Sequence, residues 1–163
     1  MYLLHRLKDA GIDIGWLNPF HWQHRRAWRK KVHADPLFSI ASSMEAAAVI
    51  LYTAAKLSGD ISKEQKSVLL DIYESDFKLS SGEAVELLSS NAYLIKDEER
   101  IYNDLEKFIG PSRENFSESQ VSSTLNLLVR VLEVEERISD KQLEFQKRVE
   151  KALQPEIKQS ANW

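Results

Sequence analysis

The chain is 163 residues long, and a domain of that size buries roughly 70% of its unfolded-chain surface, so it needs neither a disulfide nor a structural metal to fold. Hydrophobic residues make up 43% and charged residues 29%, with only five Gly and four Pro, a mix that excludes disordered, collagen-like and turn-rich all-β chains. There is no cysteine, which excludes thiol catalysis, disulfides and Cys-ligated zinc or iron–sulfur sites.

The net charge of −3 hides an asymmetry. Residues 1–38 carry seven Lys/Arg against three Asp/Glu (+4), and the remaining 125 residues carry 15 against 22 (−7). Three of the four tryptophans, Trp16, Trp22 and Trp28, fall in the basic part. Pro36 disfavours helix at Asp35 and donates no hydrogen bond itself, so the chain divides into a basic, Trp-rich appendage (1–35), a helical domain (36–155) and a tail (156–163). No stretch approaches the 18 apolar residues of a membrane span, and the expectation is a soluble, cytoplasmic protein.

Within the appendage, residues 18–33 read as a helix with Asn18 as N-cap and Pro19 at its first position. Phe20, His24, Ala27, Trp28 and Val32 gather on one side, and Arg25, Arg26, Arg29 and Lys30 occupy the rest. Trp22 with these four cations forms a candidate surface for an anionic membrane or partner. One short basic helix on an acidic chain gives only a modest field, so no nucleic-acid partner is expected. His21 and His24 share a helix face, but His33 lies roughly 14 Å further along the axis, too far to complete a zinc site.

In the body, Ser39 to Leu57 is rich in Ala, Met, Ile, Leu and Val and reads as a buried helix ending at Ser58-Gly59. Ser62 and Gln65 form a capping box for a second helix that fades near Asp76-Phe77. Ser80 and Glu83 form another box ahead of Ala84, Val85, Leu87 and Leu88. Asp97 caps a helix expected to run through Phe108 to the stop at Gly110-Pro111. Ser117 with Gln120 opens the next helix, and Ser139 with Gln142 opens the last, which carries Leu143, Phe145, Val149 and Leu153.

Shifted by 77 residues, Leu51 meets Leu128, Ile61 meets Ile138, Ser62 meets Ser139 and Gln65 meets Gln142. The repeat predicts an all-α fold of two helical hairpins around one core. An apolar helix, an Ile-Ser-x-x-Gln loop and an amphipathic helix, occurring twice over residues 39–153, resemble the tellurite-resistance TerB-like family. That resemblance implies a multihelical bundle with two central antiparallel helices, and acidic loops associated with metal-ion binding. The family loop reads Asp-Gly-x-Ile-Ser-x-x-Glu. Here Ser58, Gln65 and Gln142 stand at three of the four signature acids, and Glu135 alone keeps its charge.

The oxygen-only metal candidates are Asp60, Glu64, Glu135 and Glu136, with Asp140 beside them, and they define at most a weakly bound divalent cation, because a hard cation wants several converging carboxylates. Asp60, Glu64 and Asp140 also complement helix dipoles without any ligand. No Gly-rich phosphate loop, Gly-x-Ser-x-Gly elbow or His-Glu-x-x-His is present, so no enzyme, catalytic residue or cofactor is expected. The resemblance implies a non-catalytic binding or scaffolding module in a stress or tellurite/metal-resistance context, with a protein partner. The alternatives are a peripheral membrane or anionic-partner adaptor working through the basic helix, and weak cation binding at the acidic helix starts.

Overall fold

The computed structural model describes residues 35–154. Among them are seven α-helices and no strand, as the composition requires. A short 3₁₀ turn at Leu37–Ser39 leads into α1 (Ser43–Lys56), followed by α2 (Lys63–Ser75), α3 (Ser81–Leu94), α4 (Glu98–Asn103), α5 (Leu105–Ile109), α6 (Glu118–Leu132) and α7 (Asp140–Leu153).

Serines set the helix starts. Ser62, Ser80, Ser117 and Ser139 each accept a hydrogen bond from the backbone N–H three residues on, and the side-chain oxygens of Gln65, Glu83, Gln120 and Gln142 in turn accept one from the serine N–H. Each box satisfies two amides that the helix cannot pair internally. Ser42 caps α1 through the N–H of Glu45, so the first long helix begins four residues later than the apolar pattern from Ser39 predicts. Pro36 and the turn at 37–39 account for the delay: Leu37 and Ile40 are buried there, and their apolar character serves the core without extending the helix.

The expected helix from Asp97 to Phe108 is broken in two at Asp104 (φ −115°, ψ 36°). Asn103 and Asp104 are weak helix formers that compete for backbone groups. In addition, the Tyr102 carbonyl is taken by the guanidinium of Arg148 from α7, which compensates for a lost ladder bond. The break lets Ile101, Leu105, Phe108 and Ile109 all enter the core.

The centre of that core is α1, in which every residue from Glu45 to Ala55 is buried. A helix apolar on all sides belongs in the interior, and the run of alanines lets its neighbours approach closely. Packed around it are α6, α7, α2 and α4. The two expected hairpins are present: α1 with α2, and α6 with α7. Shifted by 77, Ser43–Lys56 falls on 120–133 and Lys63–Ser75 on 140–152, within two residues of the observed bounds.

Two long-range contacts fix how the halves meet. Near the helix starts, Ser43 Oγ donates to Gln120 Oε1 at 3.3 Å, two residues related by the repeat. Past the helix ends, Ser62 Oγ donates to Glu135 Oε1 at 3.0 Å. The central helices α1 and α6 therefore run side by side in the same direction, and both inter-helix loops lie at one end of the molecule.

Candidate functional site

The loop end is where the sequence places its cation candidates, and the duplicated fold does bring the two loops together. Gly59 adopts φ +118°, a backbone conformation that glycine enters without penalty, and this turns the chain from α1 into α2. The side chains are not arranged as a cage. Asp60, Glu64, Glu136 and Asp140 are exposed, while Glu135 is half-buried and bound to Ser62. Among the described residues no three His, Asp or Glu side chains form a group able to hold a metal ion.

What converges there instead is a pair of glutamine amides on the last turn of α1. Gln65 Nε2 donates to the Ala55 carbonyl at 3.3 Å, and Gln142 Nε2 donates to the Ala54 carbonyl at 3.0 Å. Both glutamines are buried, and both also accept the N–H of their own capping serine, at 2.9 Å. A glutamate could accept that N–H but has no hydrogen to give a carbonyl when ionised. Two of the three positions at which this chain lacks an acid of the loop it resembles, Gln65 and Gln142, are thus positions at which an amide donor is used. Of the final carbonyls of α1, Ala54 is taken by Gln142 from the start of α7, Ala55 is shared between Gln65 and the N–H and hydroxyl of Ser58, and Thr53 and Lys56 accept the N–H groups of Leu57 and Gly59.

A second cluster surrounds Tyr102 of α4. Its ring lies under Lys141 Nζ at 4.7 Å and the Arg148 guanidinium at 5.0 Å, and its hydroxyl donates to Glu144 at 2.7 Å. That hydrogen bond is the main cause of the upward shift of the Tyr102 phenol, while the hydrogen bond to Glu99 is the main cause of the upward shift of the Lys141 ammonium. Lys141 is paired with Glu99, and Arg148 with Glu106. These partners fasten α7 to α4 and α5. Nothing in the sequence announces this cluster, because its members lie about forty residues apart and meet only through packing.

At the opposite end from the loops, a groove of 220 Å³ opens between the starts of α1 and α6 and the end of α2. Ala47 and Leu127 are buried beneath it, Met44, Phe77 and Phe116 are half-buried along it, and Asp76 stands at its edge. Sequence patterning misses this groove because each half-buried residue belongs to a different element. The candidate surface formed by Trp22, Arg25, Arg26, Arg29 and Lys30, like His21, His24 and His33, lies outside the described residues.

No helix among the described residues is long and apolar enough to cross a membrane. The geometry defines a class: an all-α bundle built on two helical hairpins that share a central pair, α1 and α6, which runs parallel where the resemblance implies an antiparallel pair. The chain has no significant match to any family model, curated protein or solved structure.

Proposed function

We propose that the chain is a non-catalytic, TerB-like binding or scaffolding module that engages a protein partner, in a cytoplasmic stress or tellurite/metal-resistance setting. The observation behind this reading is the use made of the loop end. Of the positions that the resemblance would assign to a cation, Glu135 is bound to Ser62 and Gln65 and Gln142 hold α1, while the neighbouring acids Asp60, Glu64 and Glu136 stand exposed. On this reading the loops are a clamp, and recognition falls to the outer surface, where Val85 of α3 is 52% exposed and Leu143 of α7 is 40% exposed.

Calorimetric titration of the full chain with calcium, magnesium, zinc and manganese tests the loop half of the reading, with no tight site expected. Sub-micromolar affinity that disappears on Asp60→Asn or Glu135→Gln would restore the cation alternative. Affinity capture from the native cell tests the other half. A stoichiometric partner is expected that is lost on Val85→Glu or Leu143→Glu while the thermal midpoint is retained. Salt-sensitive binding to anionic vesicles with no protein partner recovered would favour the membrane alternative.

A further inference from the structure

We propose that the groove at the shared start of α1 and α6 is the docking site of this chain's own N-terminal segment, with Trp28 as the inserted side chain. The size of the groove is the first reason. At 220 Å³ it falls below the roughly 300–1,000 Å³ typical of small-molecule pockets and suits a single large side chain. Its chemistry is the second. Half-buried Phe77, Phe116 and Met44 offer ring edges and a thioether to an indole. Asp76 at its edge, which Arg130 approaches only to 4.0 Å, supplies carboxylate acceptors for an indole N–H and for the guanidinium of Arg25, three residues before Trp28.

Tethering and charge select the occupant. The described chain begins at Asp35, eight residues before Ser43 on the groove, and Trp28 lies seven residues before Asp35. With the chain helical to residue 33, as the sequence predicts, at about 1.5 Å per residue, and extended over the next two at about 3.5 Å, Trp28 reaches about 15 Å from that point. Trp28 has the shortest tether of the three N-terminal tryptophans. Residues 1–34 carry seven Lys/Arg against two Asp (+5), and residues 35–154 carry 14 Lys/Arg against 22 Asp/Glu (−8). A second copy of the chain would bring another net −3, whereas this segment brings the opposite sign.

The composition supplies clean reporters. All four tryptophans lie outside residues 35–154, and the chain has no cysteine. In the full chain with Trp16, Trp22 and Trp163 replaced by Phe, Trp28 should emit to the blue of the urea-unfolded chain and be quenched several-fold less by iodide. Ser123→Phe, at an exposed position lining the groove, should fill it and raise quenching to the unfolded level while helicity is kept. Independently, Trp28→Cys with Ser123→Cys should close an intramolecular disulfide about tenfold faster or more than Trp28→Cys with Asp60→Cys, whose loop lies past the far end of α1. A Trp28 that is fully exposed in the native chain, or unaffected by Ser123→Phe, would overturn the proposal, as would equal rates for the two cysteine pairs. A disulfide formed only between chains on a non-reducing gel would assign the groove to a second copy and overturn it as well.

Discussion

Ser62 and Glu135, 73 residues apart, are joined by a hydrogen bond of 3.0 Å from the Ser62 hydroxyl to Glu135 Oε1. The same hydroxyl accepts the N–H of Gln65 at 3.1 Å, so one side chain both starts α2 and ties it to the loop after α6. Ser62→Ala should cost about 1–2 kcal/mol, more than Ser139→Ala, which loses a cap alone at about 1 kcal/mol. A double-mutant cycle of Ser62→Ala with Glu135→Ala should give a coupling of about 0.5–1.5 kcal/mol. Strict additivity in urea unfolding would mean that the link contributes nothing in solution.

The second prediction concerns Gln142→Glu. At neutral pH the substitution removes the donor to the Ala54 carbonyl and puts a carboxylate in a buried position facing it. A loss of about 1–3 kcal/mol is expected. Protonating the carboxyl restores a donor, so its folded-state titration moves upward, and the loss should shrink as pH falls. The observable is the thermal midpoint measured against pH for both proteins. A gap that is the same at pH 4 and pH 8 would place that side chain away from the carbonyl.

Alkaline pH should expose Tyr73. Burial pushes its phenol well above the ordinary tyrosine value, and the hydrogen bond from Asn91 Nδ2 at 3.0 Å only partly opposes that shift. Because the unfolded phenol ionises near pH 10 while the folded one stays neutral, the unfolded state binds fewer protons above that pH. Stability is therefore complete below about pH 10 and declines as pH rises beyond it. Tyr52, raised by burial and then by Glu98, adds in the same direction. Tyr73→Phe should flatten the decline while costing about 1–3 kcal/mol at neutral pH, since it strands the Asn91 amide.

Two apolar residues of comparable size should behave differently. Phe108 is fully buried and meets Phe38 edge-on at 6.4 Å, so Phe108→Ala should cost about 3–5 kcal/mol. Leu143, placed by its spacing in the apolar stripe of the last helix, is 40% exposed. Leu143→Ala should stay within about 0.5 kcal/mol of the parent. Denaturant midpoints measured at equal slope check both.

Gly59→Ala separates backbone from packing. No atom lies within 4 Å of where the added methyl would sit, so any loss comes from φ alone, and about 1–2 kcal/mol is expected. A neutral result by thermal unfolding would mean that the loop relaxes to a negative φ.

The helix starts were legible because a capping box is local chemistry: Ser62, Ser80, Ser117 and Ser139 signal to residues three positions on. The repeat was legible for the same reason, since both halves use one loop. The break at Asp104 was not, because it depends on Arg148 reaching the Tyr102 carbonyl from a helix about forty residues later. Nor was the second task of Gln65 and Gln142. Spacing shows an N3 residue facing its own cap, but the amide's other hydrogen bond goes to α1, ten residues back for Gln65 and 88 back for Gln142. At the loop end, spacing places Asp60, Glu64 and Asp140 in or before the first turns of α2 and α7, but carries no information on whether carboxylates from different hairpins point at a common centre.

The all-round burial of α1 has a consequence during synthesis. From Lys56 to Glu118 the ribosome must add 62 residues (118 − 56) before the helix that lies along α1 begins to appear. At roughly 5–20 residues per second this leaves α1 without α6 for about 3–12 s. An Ala-rich, apolar helix held open for that long is a natural client for a ribosome-associated or holding chaperone. The yield of soluble chain should therefore depend more on chaperone supply than the stability of the finished bundle would suggest.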